Sequence, residues 1–175
     1  MDEIRVDIIP PIMLHIVARQ PAMQRSYIKK AGEMMSKDEL VLFGARREVE
    51  GYIDAYIGRV SLWLAEPEEP EVWRYANGAA LVNALWVNER ARSQGIAKAL
   101  MAAVEEEARR RGRTQLAVGV EPGNTPARKV YEVLGYTYRK CGDSDTYKAE
   151  WEETIESGET KQIVVDALLM VKDLS

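Results

Sequence analysis

The fold of this chain is decided by one stretch, LWVNERARSQGIA at residues 85–97, in which an apolar strand passes through a polar turn into a helix. The N–H groups of a first helical turn have no partner inside the helix, and the positive end of the helix dipole lies behind them. Such a junction binds phosphate or pyrophosphate. Gly95 lets the backbone approach a bulky anion, and Arg92 can add charge-assisted hydrogen bonds. We therefore expect an anion site at this turn.

The spacing of the turn separates it from two common phosphate-binding loops. A Walker loop carries Lys and then Ser or Thr after its second glycine, and this turn has neither. A Rossmann fingerprint needs three glycines in close succession, whereas Gly95 stands alone. What remains is the pattern Arg-x-x-Gly-x-Ala, formed by Arg92, Gly95 and Ala97. A plain helix start packed on a strand produces the same pattern, so a second motif has to decide.

That second motif follows the next apolar strand, in the segment EPGNTPARKVYEVLGY at residues 121–136. Asn124 or Thr125 can cap a short helix there, and Gly135 can end it. Asn124 and Tyr131 lie two turns apart and near one face of that helix, and Ala127 keeps this face small. In isolation, Tyr131 could equally be a core residue.

Together the two motifs resemble those of the GNAT superfamily of acetyl-CoA-dependent N-acetyltransferases. That family's pyrophosphate loop has the pattern Gln/Arg-x-x-Gly-x-Gly/Ala, and its later segment has Asn-x-x-Ala, then Tyr, then Leu-Gly-Phe/Tyr. The resemblance is close over residues 38–140 and architectural outside them. It implies an α/β (α+β) fold with a mixed, mostly antiparallel sheet flanked by helices, in the order β-α-α-β-β-β-α-β-α-β-β. It also implies one domain over residues 1–175.

The resemblance further implies which residues bind acetyl-CoA and act in catalysis. The pantetheine arm would pair with the fourth main strand like an added strand, and a bulge there commonly splays this strand from the next. Backbone N–H groups of residues 92–98 would hold the pyrophosphate. Tyr131 matches the general acid for the departing CoA thiolate, since a phenol stays protonated at neutral pH. The cofactor-binding residues so implied are Leu85, Trp86, Val87, Arg92, Ser93, Gln94, Gly95, Ile96, Ala97, Lys98, Asn124 and Ala127.

The general base is where the sequence departs from the family's usual pattern. Many relatives carry a Glu in the fourth strand shortly before the loop, whereas the nearest polar residue here is Asn83, which cannot act as a base. Asp54, Glu66 and His15 remain candidates, as does an ordered chain of water. His15 lies in an apolar segment, where a packed or hydrogen-bonded role is the commoner one.

Two further groups of residues bear on the acceptor. Four glutamates cluster before the fourth main strand: Glu66, Glu68, Glu69 and Glu71. They form either a solvated acidic loop or an attractor for a cationic acceptor. Three tryptophans stand nearby in the sequence: Trp63, Trp73 and Trp86. They either line an acceptor cleft or pack in the core.

Hydrophobic periodicity predicts the remaining elements. We expect strands at residues 4–8, 40–45, 56–64, 79–87, 116–120, 136–139, 148–151 and 163–171. Helices are expected at residues 12–19, 21–35 and 95–111, the last with i,i+4 pairs between residues 105–107 and 109–111. Residues 65–71 should form a loop, and residues 48–54 are either a hairpin turn or an insertion.

Composition excludes several classes of protein. A net charge of −4 argues against a nucleic-acid binder and suits a cationic small substrate. The single Cys141 excludes an internal disulfide, and with one histidine we expect no metal site. The N-terminal residues lack the basic region of a signal peptide, and no run reaches the length of a membrane span. We therefore expect a cytoplasmic protein that does not enter a membrane.

The favoured function is N-acetyltransfer from acetyl-CoA to a primary amine of a small molecule or protein, directly within a ternary complex. Transfer of another acyl group or to an alcohol is an alternative within the same fold. A non-catalytic acyl-CoA sensor is an alternative from another class, which Tyr131 argues against. An RNA-modifying enzyme would need a basic patch, here limited to residues 109–113. A homodimer through the C-terminal strands is also an expectation.

Overall fold

In the described part of the chain, the strands form one nine-stranded sheet. The computed structural model describes residues 3–14, 25–49, 52–53, 56–154 and 159–174. The strands are β1 (Glu3–Ile8), β2 (Leu40–Val49), β3 (Tyr52–Ile53), β4 (Gly58–Trp63), β5 (Ala80–Val87), β6 (Gln115–Val120), β7 (Thr137–Arg139), β8 (Thr146–Thr154) and β9 (Thr160–Asp173). The described α-helices are α1 (Arg25–Ser36), α2 (Pro70–Tyr75), α3 (Ile96–Arg110) and α4 (Thr125–Val133). Short 3-10 helices lie at Pro11–Met13 and Glu89–Ala91.

The strand order confirms the predicted mixed, mostly antiparallel sheet. It runs β1-β2-β4-β5-β6-β9-β7, with β3 paired to β2 and β8 paired to β9. The pair β5–β6 is parallel, and the other pairs are antiparallel. A parallel pair needs a crossover connection, and α3 supplies it. The N-terminus of α3 is therefore placed at the end of β5, in the middle of the sheet.

The main core lies between one face of the sheet and α3. The apolar side of α3 consists of Ile96, Leu100, Met101, Val104 and Ala108, all at most 1% exposed. They pack against β2, β4, β5 and β6. Each large side chain buried in this way contributes roughly 1.5–3 kcal/mol. The apolar residues of α3 recur with a helical period, and this pattern determines which side of the helix packs against the sheet.

The other face of the sheet is covered by α1 over β2 and by α2 over β6 and β9. Ala31 and Met34 of α1 pack on Leu40 and Leu42 of β2. A further cluster, which includes Tyr147 of β8, covers β6 and β9. The face of the main core is covered by α3 together with α4, whose Tyr131 belongs to the same cluster.

Several predicted boundaries are corrected. Residues 65–71 are not all loop, since α2 begins at Pro70, whose missing N–H costs nothing in a first turn. Residues 48–53 contain a hairpin pairing of β2 with β3. Strands β8 and β9 extend beyond 148–151 and 163–171 because all of β8 pairs with the first part of β9, whose last part pairs with β6. Of the helix expected at 12–19, Pro11–Met13 is a 3-10 turn and residues 15–19 lie outside the described part.

The ion pairs of α3 follow the predicted i,i+4 pattern in two of three cases. Glu105 pairs with Arg109 at 3.7 Å and Glu107 with Arg111 at 2.8 Å. Arg110 instead bonds to Glu107, three residues earlier. Glu107 is buried, and its bonds to two arginines hold the pKa of its carboxyl below the usual value. Among the described residues, no helix is long and apolar enough to cross a membrane.

Candidate acyl-CoA site

Strands β5 and β6 separate in the middle of the sheet and leave a cleft. They pair through Ala80 with Leu116 and Leu81 with Ala117, and in the described part of the chain their pairing ends there. Beyond Leu81 the edge of β5 that faces β6 is therefore open. An open strand edge presents N–H and C=O groups that an extended ligand can pair with.

A β-bulge in β5 changes which side chains face which side of the sheet. Asn83 lies opposite Ser61, but Trp86 lies opposite Arg59, so two residues of β5 face one of β4. Ala84 within the bulge has φ +54°, which is rare for a residue other than glycine. A bulge of this kind bends its strand and disrupts the ladder, in agreement with the separation of β5 from β6.

The turn after β5 presents free N–H groups at the start of α3. Asn88 accepts a hydrogen bond from the Arg90 N–H (3.1 Å), which begins the turn. Gly95 ends it with φ +81° as the N-cap residue of α3. The first helical bond is donated by the Ala99 N–H to the Gly95 carbonyl (2.9 Å), so the N–H groups of residues 96–98 have no acceptor within the helix. The geometry is that of an anion-binding helix N-terminus.

The structure places the residues implied for this turn in different environments. Arg92, Ser93, Gln94, Gly95 and Lys98 are exposed, Ala97 is half-buried, and Ile96 is buried and anchors the helix. The Arg92 N–H is already donated to the Glu89 carbonyl (3.3 Å), so this backbone group is in use. Its guanidinium is exposed and donates weakly to the Val87 carbonyl (3.4 Å). It is near enough to β5 to reach a ligand along that strand.

Tyr131 lies on α4, which follows β6. It is 5% exposed, and its ring meets that of Tyr136 edge to face at 5.5 Å between centroids. Burial raises the pKa of Tyr131 above that of an ordinary phenol. Its hydroxyl therefore keeps its proton throughout the neutral range and can donate it. A general acid must be protonated before it reacts, and Tyr131 meets this condition, although its raised pKa also makes it a weaker acid.

The other two α4 residues singled out from the sequence have structural roles. Asn124 is the N-cap of α4, and its side-chain oxygen accepts from the Ala127 N–H at 3.2 Å. Asn124 is exposed whereas Tyr131 is buried. Ala127 is half-buried against the main core. Its small size lets α4 approach the sheet.

On the α1 face, aromatic and cationic side chains surround the bulge. The Arg59 guanidinium lies over the Trp86 ring at 5.1 Å, and burial lowers the pKa of Arg59. The Trp63 ring lies under the Lys30 ammonium at 5.2 Å. Leu85 and Val87, by contrast, pack against the α3 core. Trp73 is 49% exposed on α2 and lies in neither place.

The residues considered as the general base differ in whether the structure describes them and in how far it buries them. His15 and Asp54 lie outside the described residues, and Glu66 is exposed. No sequence pattern distinguishes Glu69 from the other glutamates of its loop, but the fold half-buries it. Burial, with smaller contributions from Glu68 and Glu150, raises the pKa of Glu69. A carboxyl group with a raised pKa is a better proton acceptor near neutral pH.

The acidic loop is attached to α1 rather than free in solvent. Lys30 donates to Glu68 at 2.8 Å while it covers Trp63. Tyr147 of β8 lies directly over Gly119 of β6, and after burial the largest influence on its pKa is nearby Glu69. The loop carboxylates thus lie between α1 and β8 on the α1 face of the sheet.

The arginines at the end of α3 are engaged within the protein. Arg111 bonds to Asp38 and Glu107, and Arg113 donates to the Leu64 carbonyl at 2.5 Å. Arg109 donates to the Leu174 carbonyl at 3.0 Å. These charges hold the helix end against neighbouring elements, and this observation does not favour an RNA-binding patch.

Comparison with known proteins agrees with this geometry. The family model described as "Acetyltransferase (GNAT) family" matches residues 13–136. Curated proteins show no significant match to the chain. A GNAT-family acetyltransferase from Staphylococcus aureus Mu50 has a TM-score of 0.64 at 14% identity and covers 99% of this chain and 100% of its own.

Two other solved structures of the same fold contain a CoA ligand. YncA from Salmonella typhimurium, solved with acetyl-CoA, has a TM-score of 0.58 at 15% identity, over 99% of this chain and 95% of its own. The NatC complex bound to Gag peptide and CoA has a TM-score of 0.68 at 15% identity, over 99% of each chain. These likenesses establish the fold.

Proposed function

Since the chain belongs to the GNAT acetyltransferase family and is an acyltransferase, we propose that it moves an acetyl group from acetyl-CoA to a primary amine. The transfer is direct and takes place in a ternary complex. The observation that carries this proposal is the open edge of β5, which leads to the free N–H groups at the start of α3, while Tyr131 belongs to the core cluster that both elements share. The CoA ligands of two structural neighbours support the choice of donor.

In this proposal acetyl-CoA lies along β5. Its pantetheine amides pair with the backbone of residues 85–87 beyond the bulge. Its pyrophosphate accepts hydrogen bonds from the N–H groups at the start of α3, and Arg92 and Lys98 are near enough to add charge. Holding the thioester in this way supplies much of the rate enhancement, because positioning removes the entropy cost of bringing the reactants together.

The chemistry needs one proton acceptor and one proton donor. The neutral amine nitrogen attacks the thioester carbonyl carbon, and the C–S bond breaks as the tetrahedral intermediate collapses. The CoA thiolate receives a proton from the Tyr131 hydroxyl, and the amine loses one to a base. Among the described carboxylates Glu69 is the base that the structure favours, acting directly or through water. The surrounding glutamates also favour a cationic acceptor.

The acceptor enters on the α1 face in this proposal, where Trp63, Trp86 and the acidic loop lie. A primary amine is charged at neutral pH, so carboxylates and aromatic faces both suit it. A homodimer remains a proposal, which the unpaired outer edge of β8 in the described part of the chain supports. Light scattering after size exclusion tests it directly.

Thiol release from acetyl-CoA is the experiment that tests the function. A panel of amines, amino acids, polyamines, aminoglycosides and short peptides serves as acceptors, with Tyr131→Phe beside the wild type. We expect turnover with one amine class and a loss of about 100-fold or more in kcat for the variant, at unchanged acetyl-CoA affinity. Tight acetyl-CoA binding without turnover would favour a sensor. Absence of acetyl-CoA binding would refute the proposal.

A further inference from the structure

Ser61 joins three parts of the molecule through one buried hydroxyl group. It lies on β4 and is 0% exposed. Its Oγ accepts from the Tyr27 hydroxyl of α1 at 2.7 Å and from the Trp63 indole N–H at 3.1 Å. It donates to the Asn83 carbonyl of β5 at 3.0 Å. A hydroxyl has one proton to donate and two lone pairs, so its hydrogen-bonding capacity is fully used.

The accepting carbonyl belongs to the residue immediately before the bulge. Ala84 follows Asn83 and holds φ +54°. An L-residue with a Cβ is strained in this region, and such a conformation persists only where its surroundings hold it. The Ser61 hydroxyl is the side-chain group that binds the bulge at its first peptide. Removing it lets the backbone relax.

If the bulge relaxed to regular pairing, the side chain of every later residue of β5 would point to the opposite face of the sheet. Ala80 and Val82 face the α3 core before the bulge, and Leu85 and Val87 face it afterwards, so the alternation shifts by one residue. Because side chains alternate with a period of two, regular pairing would turn Trp86 into that core and Leu85 out of it. The N–H and C=O groups of the open edge would exchange positions as well.

We propose that Ser61 is a positioning residue for acetyl transfer. It fixes the bulge of β5 and thereby the backbone edge on which acetyl-CoA lies, and through Tyr27 it ties this edge to α1 on the acceptor side. This inference rests on the proposed acetyl-CoA site. Its action is indirect, because the Ser61 hydroxyl itself is fully engaged in hydrogen bonds within the protein.

A double-mutant cycle between Ser61→Ala and Ala84→Gly tests the inference, with the acetyl-CoA Kd measured by calorimetry. We expect Ser61→Ala to weaken binding by about tenfold or more, because it leaves buried hydrogen-bonding groups without a partner. Adding Ala84→Gly should recover about fivefold or more, since glycine adopts a positive φ without strain. A loss of packing alone would not be rescued by a change at the bulge.

Two further variants serve as comparisons. Tyr27→Phe keeps the bond from Ser61 to Asn83, so its affinity should stay within about threefold of the wild type. Ser36→Ala removes an exposed hydroxyl that donates to the Glu33 carbonyl at 2.6 Å, and it should leave the affinity unchanged. If Ser61→Ala does not fold, Ser61→Cys replaces it, because a thiol is a weak donor of similar shape. Its affinity should fall by about threefold or more.

The outcomes separate the two proposals. A wild-type protein that does not bind acetyl-CoA refutes the proposed function. A wild type that binds, with Ser61→Ala equal to it, overturns the role of Ser61 alone. If Ser61→Ala binds acetyl-CoA weakly and adding Ala84→Gly does not restore the affinity, the role of Ser61 is also overturned, because the hydroxyl would then act through general packing. Unchanged affinity in Ser61→Cys has the same meaning.

Discussion

Helix α3 packs very closely on the sheet at Gly58. The substitution Gly58→Ala adds one methyl group there and so tests what positions the N-terminus of α3. A Cβ at Gly58 would lie 2.9 Å from Ile96 Cγ2, 3.1 Å from Leu100 Cδ1 and 3.2 Å from the Trp86 carbonyl oxygen. Favourable carbon–carbon separations are about 3.5–4.0 Å. Gly58→Ala therefore has to push α3 or β5 outwards by several tenths of an ångström. Ile96 is the first residue of α3, so the displacement falls on the proposed pyrophosphate site.

The expected cost follows from these contacts. Inserting one carbon into a well-packed core costs about 1–3 kcal/mol. For a protein of about this size each kcal/mol lowers Tm by roughly 2–4 °C, so Gly58→Ala should melt roughly 2–12 °C below the wild type. The acetyl-CoA Kd should rise as well, because the N–H groups of the first turn no longer converge on the same point.

Gly32→Ala provides a matched control with the opposite sign. Gly32 lies in α1, and a Cβ there would meet Leu14 Cδ2 at 3.4 Å, which is close to ordinary contact. Since alanine favours a helix over glycine by about 0.8–1.0 kcal/mol, this variant should be more stable than the wild type. Urea unfolding and acetyl-CoA titration measure both effects. A Gly58→Ala protein within about 0.5 kcal/mol of the wild type, with unchanged affinity, would refute the reasoning.

Two further predictions concern buried polar groups. The Tyr136 hydroxyl is buried without a hydrogen-bond partner among the described residues, so Tyr136→Phe should leave the free energy of unfolding unchanged or raise it by up to about 1 kcal/mol; a loss above about 1 kcal/mol in urea unfolding would mean that the hydroxyl is bonded. The raised pKa of Glu69 means that the folded protein binds more protons than the unfolded chain, so this group's contribution to stability is present below its unfolded pKa and lost as pH rises through its folded pKa. Glu69→Gln should therefore raise Tm at about pH 7 and leave it unchanged at about pH 3, and equal shifts at both pH values would contradict the burial of this carboxyl.

The sequence pattern predicted the parts of the fold that depend on residues close to one another in the sequence. The apolar spacing of α3 and its closing arginines are properties of consecutive turns, so the helix was found within one residue at each end. Gly95 was expected to let the backbone approach an anion, which stays a prediction, while its φ of +81° gives a separate reason for glycine at this position. No neighbour comes within 4 Å of a Cβ at Gly95, so conformation rather than crowding requires glycine there.

The parts that the sequence did not predict depend on contacts between distant residues. The bulge includes Ala84, an ordinary residue in an apolar run, and the carbonyl before it, that of Asn83, accepts a hydrogen bond from Ser61, which lies 22 residues before Asn83. Tyr27 lies 34 residues from Ser61 in the sequence, and the local sequence around either residue does not predict their hydrogen bond. Glu69 differs from the other glutamates of its loop only through what the fold packs around it. Such features follow from the tertiary structure and leave no periodic signal.

The raised pKa of Tyr131 limits how it can act as an acid. A thiol has an ordinary pKa of about 8.5, and the buried phenol lies above its own usual value of about 10, so complete proton transfer to a free thiolate is unfavourable. Transfer of the proton from Tyr131 to the thiolate is therefore uphill, and it goes forward because the CoA thiol leaves the site and a water molecule returns a proton to the phenolate. The kcat profile of the wild type should then show no loss from Tyr131 ionisation below about pH 10, and Tyr131→Phe should lower kcat by a constant factor across the neutral range. A basic limb near pH 8 in the wild type that disappears in Tyr131→Phe would show that the phenol is acidified rather than buried in its neutral form.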